Sequence, residues 1–128
     1  MNGSAHAAGS GLALAIATYH ATGRGQPPEL TDEERVATAA AAGGLGALCG
    51  SLPDLIEPAV HPNHRQFFHS IAFAVMLGYG LRELYRWQPD EDWQRLLRGV
   101  GLIAGGAYLV HLAMDATTAK SLPFVGKL

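Results

Sequence analysis

No charged residue occurs from Met1 to Gly23, from Val36 to Pro53, from Gln66 to Leu81 or from Gly99 to Met114. Acidic and basic side chains are confined to short stretches between these runs. This pattern constrains the fold more than any motif, because each run is close to the roughly 20 apolar residues that a membrane-crossing helix needs. A water-soluble bundle would instead carry charges along the outer face of its helices. The runs dominate the reading although the mean hydropathy of the whole chain is a modest +0.11. Glycine and alanine are abundant and β-branched residues sparse, which favours closely packed helices over sheet. The expected architecture is all-α: an up-and-down bundle of about four apolar helices, embedded in a bacterial inner membrane or tightly bound to it, with residues 1–128 as a single domain.

Local signals divide the runs into helices. Thr31-Asp32-Glu33-Glu34 is a capping box, and the helix it opens should run to about Ser51, before Pro53. The first helix covers about Ala7 to Thr22 and ends at Gly23. A third runs from about Gln66 to Trp87. Pro89-Asp90-Glu91-Asp92 opens a fourth, with acids at its positive dipole end, reaching about Thr117. Gly46–Gly50 and Gly101–Gly105 are GxxxG pairs, whose spacing lets helix backbones approach and offers a route to a homo-oligomer. With 16 glycines in the chain the motif is a weak one.

Several classes are excluded early. The formal net charge is -2, so no basic footprint points to nucleic acid. Cys49 is the one cysteine, which precludes an internal disulfide or a thiolate zinc cluster. Any metal site must use nitrogen and oxygen ligands. No basic residue precedes Arg24, so a secretory signal is not supported.

Short connections imply that successive helices are antiparallel. His6, the Pro53–Arg65 segment with Asp54, Glu57, His61 and His64, then His69, His111 and Asp115 all fall at one pole. Only His20 of the six histidines falls at the other. His111 and Asp115 are spaced i,i+4 on one helix face and can bind a cation together. They stand among Tyr108, Leu109, Val110, Leu112, Ala113 and Met114, where an imidazole and a carboxylate need a partner to offset desolvation. The alternative for this pair is a plain His–Asp hydrogen bond. His69 should point inward from the first turn of its helix, with His64 reaching across from the loop. Arg65 could grip an anionic oxygen or pair with Asp54 or Glu57. Prolines on both sides stiffen the loop that carries Asp54, a candidate ligand, and Glu57, a candidate ligand or general base. His61 and His20 read as structural or exposed.

Gly50-Ser51-Leu52-Pro53-Asp54, His64-Arg65-x-x-x-His69-Ser70 and Gly106-x-x-x-x-His111-x-x-x-Asp115-x-x-Thr118 together resemble the membrane-bound metal-dependent hydrolase family, of the LexA-binding inner-membrane type. An early histidine before an apolar helix, as at His6, also fits. The resemblance runs from about residue 6 to Phe124. It implies a helical metallohydrolase similar to zinc phospholipase C-like enzymes, with a phosphoester substrate of lipid type. Members commonly read Pro-Asp-x-Asp in the first motif; this chain has Ile56 at the second acidic position and Glu57 one further on. Many have Thr before the second histidine, where this chain has Phe68.

The expected chemistry is therefore a one- or two-ion site, zinc first and manganese second. His6, Asp54, His69, His111 and Asp115 are the expected ligands, with His64 completing a second metal position or orienting substrate. Glu57 would take a proton from a metal-activated water, and Arg65, with Lys120, would hold a phosphate oxygen. Membrane lipid is the expected partner. Two other readings compete. Haem needs facing imidazoles within the helix span, whereas these histidines crowd one pole beside carboxylates. A non-catalytic membrane assembly or partner-binding protein would use the metal only to tie segments together. If the helices span a membrane, Arg24, Arg35, Arg82, Arg86, Arg95 and Arg98 at the far pole outnumber Arg65, Lys120 and Lys127, which puts the far pole in the cytoplasm.

Overall fold

The computed structural model describes residues 3–23, 30–56 and 67–117. Helix α1 spans Gly3–Thr22, α2 Asp32–Cys49, a short α3 Leu52–Ile56, α4 Ile71–Arg86 and α5 Asp92–Ala116, with a 3-10 turn at Phe67–His69 before α4. There is no strand among the described residues. The all-α expectation holds.

The helix ends follow from side-chain chemistry. Thr31 Oγ1 accepts from the Glu34 amide, and Glu34 Oε2 accepts from the Thr31 amide at 2.8 Å, so the capping box opens α2 as expected. At α4 the cap is Ser70, whose Oγ accepts from the Phe73 amide at 3.1 Å. The helix thus starts after His69, not at Gln66, because a serine that satisfies an orphan amide marks the boundary. His69 lies in the preceding 3-10 turn rather than in a first α-helical turn. Helix α2 ends at Cys49, and Asp54 lies in α3 rather than in a proline-stiffened loop. Pro53 is tolerated there because the first turn of a helix needs no amide donor from it. Helix α1 begins four residues before Ala7, which places His6 inside its first turns.

Successive long helices run antiparallel. Close approach between α1 and α2 needs glycine: a Cβ at Gly11 would come 2.8 Å from the Gly43 carbonyl oxygen, and one at Gly46 3.0 Å from Leu14 Cβ. Gly101 and Gly105 lie against Leu84 and Leu81 of α4. Both GxxxG pairs therefore pack against helices of the same chain. Helices α1, α2 and α5 pack mutually, and α4 lies along α5. At the far pole two arginines cap the preceding helices. Arg35 donates to the Tyr19 carbonyl at 3.2 Å and stacks 4.3 Å over its ring. Arg98 donates to the carbonyls of Leu84, at 3.1 Å, and Tyr85. Each satisfies carbonyls that a helix C-terminus leaves without partners.

The radial distribution of side chains is inverted. Among the described residues the buried apolar set is small, consisting of Ala39, Ala42, Ala107, Tyr108 and Leu112, while His6, Ser10, His69, Ser70, His111 and Asp115 are buried beside it. Large apolar side chains such as Leu48, Val75, Tyr85 and Leu96 are each more than 60% exposed. Water would oppose that arrangement, whereas hydrocarbon outside the bundle favours it. Among the described residues two stretches, Asp32–Ile56 and Asp92–Ala116, are long and apolar enough to cross a membrane. At 1.5 Å per residue α5 is about 37 Å long, more than the roughly 30 Å hydrocarbon core.

Candidate metal centre

Five side chains from four segments meet at one pole. His6 enters from the start of α1, Asp54 from α3, His69 from the 3-10 turn, and His111 and Asp115 from the end of α5. The antiparallel order makes this possible, since each start or end at that pole contributes one element. His111 and Asp115 are one turn apart on the same face, as their spacing requires.

The geometry could accommodate a cation. His6 Nε2 lies 3.2 Å from Asp115 Oδ1, and His6 Nδ1 lies 3.5 Å from Asp54 Oδ2. His111 Nε2 lies 3.5 Å from both Asp54 Oδ1 and Asp115 Oδ2. His69 Nε2 lies 3.5 Å from Asp54 Oδ1. Four of these five separations exceed the ordinary N–H···O range. Ligands held about 2.1 Å from a tetrahedral ion stand about 3.4 Å apart, and the observed spacings match that edge length. Two triads have donor atoms within 4.8 Å of one another: His6, His111 and Asp115, and Asp54, His69 and His111.

Burial and hydrogen bonding fit the same occupant. His6, His69, His111 and Asp115 are at most 2% exposed. Both ring nitrogens of His6, and Nε2 of His111, are buried with no well-formed hydrogen bond among the described residues. Such atoms are costly unless something else satisfies them. The His6 and His111 rings stand 3.8 Å apart at their centroids. Burial, and next the His111 ring beside it, push the His6 imidazole below its ordinary pKa. The other ring nitrogen of His111, Nδ1, is 2.6 Å from the Gly50 carbonyl oxygen. It must donate there, so the lone pair sits on Nε2, facing the carboxylates. His111 can then serve one ion only, whereas Asp54 and Asp115 each have two oxygens and could bridge a pair. The residues present can hold a metal ion.

All five ligands expected from the sequence are together. His20 is exposed near the far end of α1, also as expected. Glu57, His61, His64, Arg65 and Lys120 lie outside the described residues. Three participants escaped the sequence reading. Ser10 is buried and donates to the Ala107 carbonyl at 3.1 Å. Gly50 supplies the acceptor for His111. Tyr108 donates to the Phe68 carbonyl at 3.3 Å, tying α5 to the turn that carries His69. Their spacing was a usable signal: Ser10 is one turn after His6, and Tyr108 one turn before His111.

A family model described as YdjM inner membrane protein matches residues 1–125. The chain belongs to that family. The match covers nearly all of the chain, and it places the protein in the inner membrane. Membership accounts for the apolar exterior and for the two stretches that can cross a membrane. No curated protein and no solved structure matches the chain.

Proposed function

We propose that the protein is a membrane-bound metal-dependent hydrolase of phosphoester bonds, with phospholipid as the favoured substrate class. The observation that carries this reading is the set of imidazole–carboxylate separations of 3.2–3.5 Å among five side chains at the pole of an inner-membrane bundle. Three nitrogens and two carboxylates suit zinc first and manganese second. Such an ion supplies Lewis acidity and brings the pKa of a coordinated water towards about 7.

The chain's own residues divide the remaining work. His6, His69, His111 and Asp115 fix the buried side of the site. Asp54 is 44% exposed at its side chain, which makes its flank the side from which a substrate would approach. Glu57, three residues beyond Asp54, is the proposed proton acceptor. His64 is assigned to orient substrate or complete a second metal position. Arg65, with Lys120, is assigned to a phosphate oxygen. These last four roles rest on the sequence alone.

A second reading draws on the burial of four of the five donors. A structural site is closed by protein ligands, and a metal here could tie α1, α3, α5 and the 3-10 turn together without turnover. Metal analysis of detergent-purified protein, followed by assay on phosphoesters and phospholipid vesicles, separates the readings. The expected result is about one equivalent of metal per chain, with turnover that His111→Ala and Glu57→Gln abolish. Stoichiometric metal without turnover would favour the structural tie. Less than about 0.2 equivalents, with no uptake of added zinc or manganese, would overturn both.

A further inference from the structure

Gly50 has an ordinary right-handed helical backbone, with φ -63° and ψ -14°. No conformational demand therefore calls for glycine. Space does: a Cβ at Gly50 would come 2.6 Å from both Cβ and Oγ of Ser10. Real side chains do not approach so closely, so any larger residue must move the end of α2 away from α1. Ser10 cannot retreat freely, because its Oγ donates to the Ala107 carbonyl of α5 at 3.1 Å and it is fully buried. Ala107 is the residue one helical turn before His111, so its carbonyl is also the intrahelical acceptor for the His111 amide. Three helices are thus pinned at one level. Immediately beyond that level the Gly50 carbonyl meets His111 Nδ1 at 2.6 Å.

We propose that the Ser10–Gly50 contact is a positioning device: it holds the end of α2 so close to α1 that the Gly50 carbonyl locks His111 in the tautomer with its proton on Nδ1 and its lone pair on Nε2, aimed at Asp54 and Asp115. Gly50 is the positioning residue, acting through His111, and Ser10 is the neighbour whose bulk limits what can stand at position 50. The role of the lock in metal capture rests on the metal-dependent reading above; the tautomer itself does not. A neutral imidazole with its proton on Nε2 would have no lone pair to offer the site. The Gly50 carbonyl is the outer partner that excludes that state.

The test uses full-length protein in detergent micelles, with histidine ring nitrogens labelled and the His111 signals identified by their loss in His111→Gln. Wild-type protein without metal should show a protonated Nδ1 and a bare Nε2 at His111. Gly50→Ala should shift His111 towards the other tautomer and weaken cobalt binding about 10- to 100-fold, with an altered visible spectrum. Ser10→Gly removes both atoms that the new methyl would strike. The double variant Ser10→Gly with Gly50→Ala should therefore recover the tautomer, the cobalt spectrum and an affinity within about threefold of wild type. A merely structural glycine would not return the ring signature through a change on another helix. If Gly50→Ala alone does not fold, the double variant carries the test, and its failure to recover fold and tautomer overturns the proposal. A wild-type His111 protonated on Nε2, or a Gly50→Ala protein with unchanged tautomer and affinity, also overturns it. If no protein binds cobalt, wild type included, while the tautomers follow the expected pattern, the metal reading falls and the tautomer lock stands.

Discussion

His6 Nε2 and Asp115 Oδ1 stand 3.2 Å apart, although one residue opens the first helix and the other closes the last. Both side chains are only 2% exposed. A desolvated carboxylate is expensive to bury without compensation, and the His6 and His111 imidazoles both face this one. Together with Asp54 they could share a cation.

Asp115→Asn should therefore separate charge from shape. The amide fills nearly the same volume, so the bundle should remain folded, while metal affinity falls by more than about 100-fold. Isothermal titration of zinc into metal-free protein measures this, with His20→Ala as a control that keeps wild-type affinity. Equal affinity in Asp115→Asn and wild type would remove Asp115 from the ligand set.

Metal should also stabilise the fold, because five candidate ligands from four segments come together only in the native state. Free zinc at about 100 times its dissociation constant should add about 2.7 kcal/mol to the unfolding free energy. Thermal melts in detergent should show the shift, chelator should reverse it, and His111→Ala should be indifferent to zinc. A zinc-dependent melt that survives in His111→Ala would place the binding elsewhere.

The helix interface offers a contrast between neighbouring glycines. A Cβ at Gly11 would meet the Gly43 carbonyl oxygen at 2.8 Å, whereas one at Gly44 meets nothing within 4 Å. Gly11→Val should lower stability by about 1–3 kcal/mol through overpacking. Gly44→Ala should be neutral or stabilising by up to about 1 kcal/mol, since glycine is a poor interior helix residue. Denaturant titration of both variants reads the difference, and a tolerated Gly11→Val would refute the close α1–α2 approach.

Membrane orientation can be read with topology reporters. Arg35 and Arg98 cap helices at the pole opposite the candidate metal centre, and among the described residues Arg86 and Arg95 also lie towards that pole, at the end of α4 and the start of α5. The positive-inside rule then puts the far pole in the cytoplasm and the metal centre on the outer side. A reporter after Leu128 should read as periplasmic, and one in the connection after Gly23 as cytoplasmic. A cytoplasmic reading after Leu128 would reverse the orientation.

Much of this was legible in the sequence because it depends on short-range physics. Charge-free runs near membrane length require helices, since hydrocarbon leaves no other way for a short chain to satisfy its backbone. The Thr31 capping box needs only four residues, and the His111–Asp115 pairing only one turn. Antiparallel order, implied by short connections, was enough to bring His6, Asp54, His69, His111 and Asp115 to a common pole. Tertiary structure alone decided the rest. Whether His69 starts a helix or precedes it depended on Ser70 winning the cap, and Asp54 took a place in a helix that the adjacent proline had hidden. Ser10 and Gly50 are unremarkable in a chain rich in small residues. Their importance lies in the lack of room between two helices, where a Cβ added at Gly50 would come 2.6 Å from Ser10, a closeness set by packing across forty residues of chain rather than by any local preference.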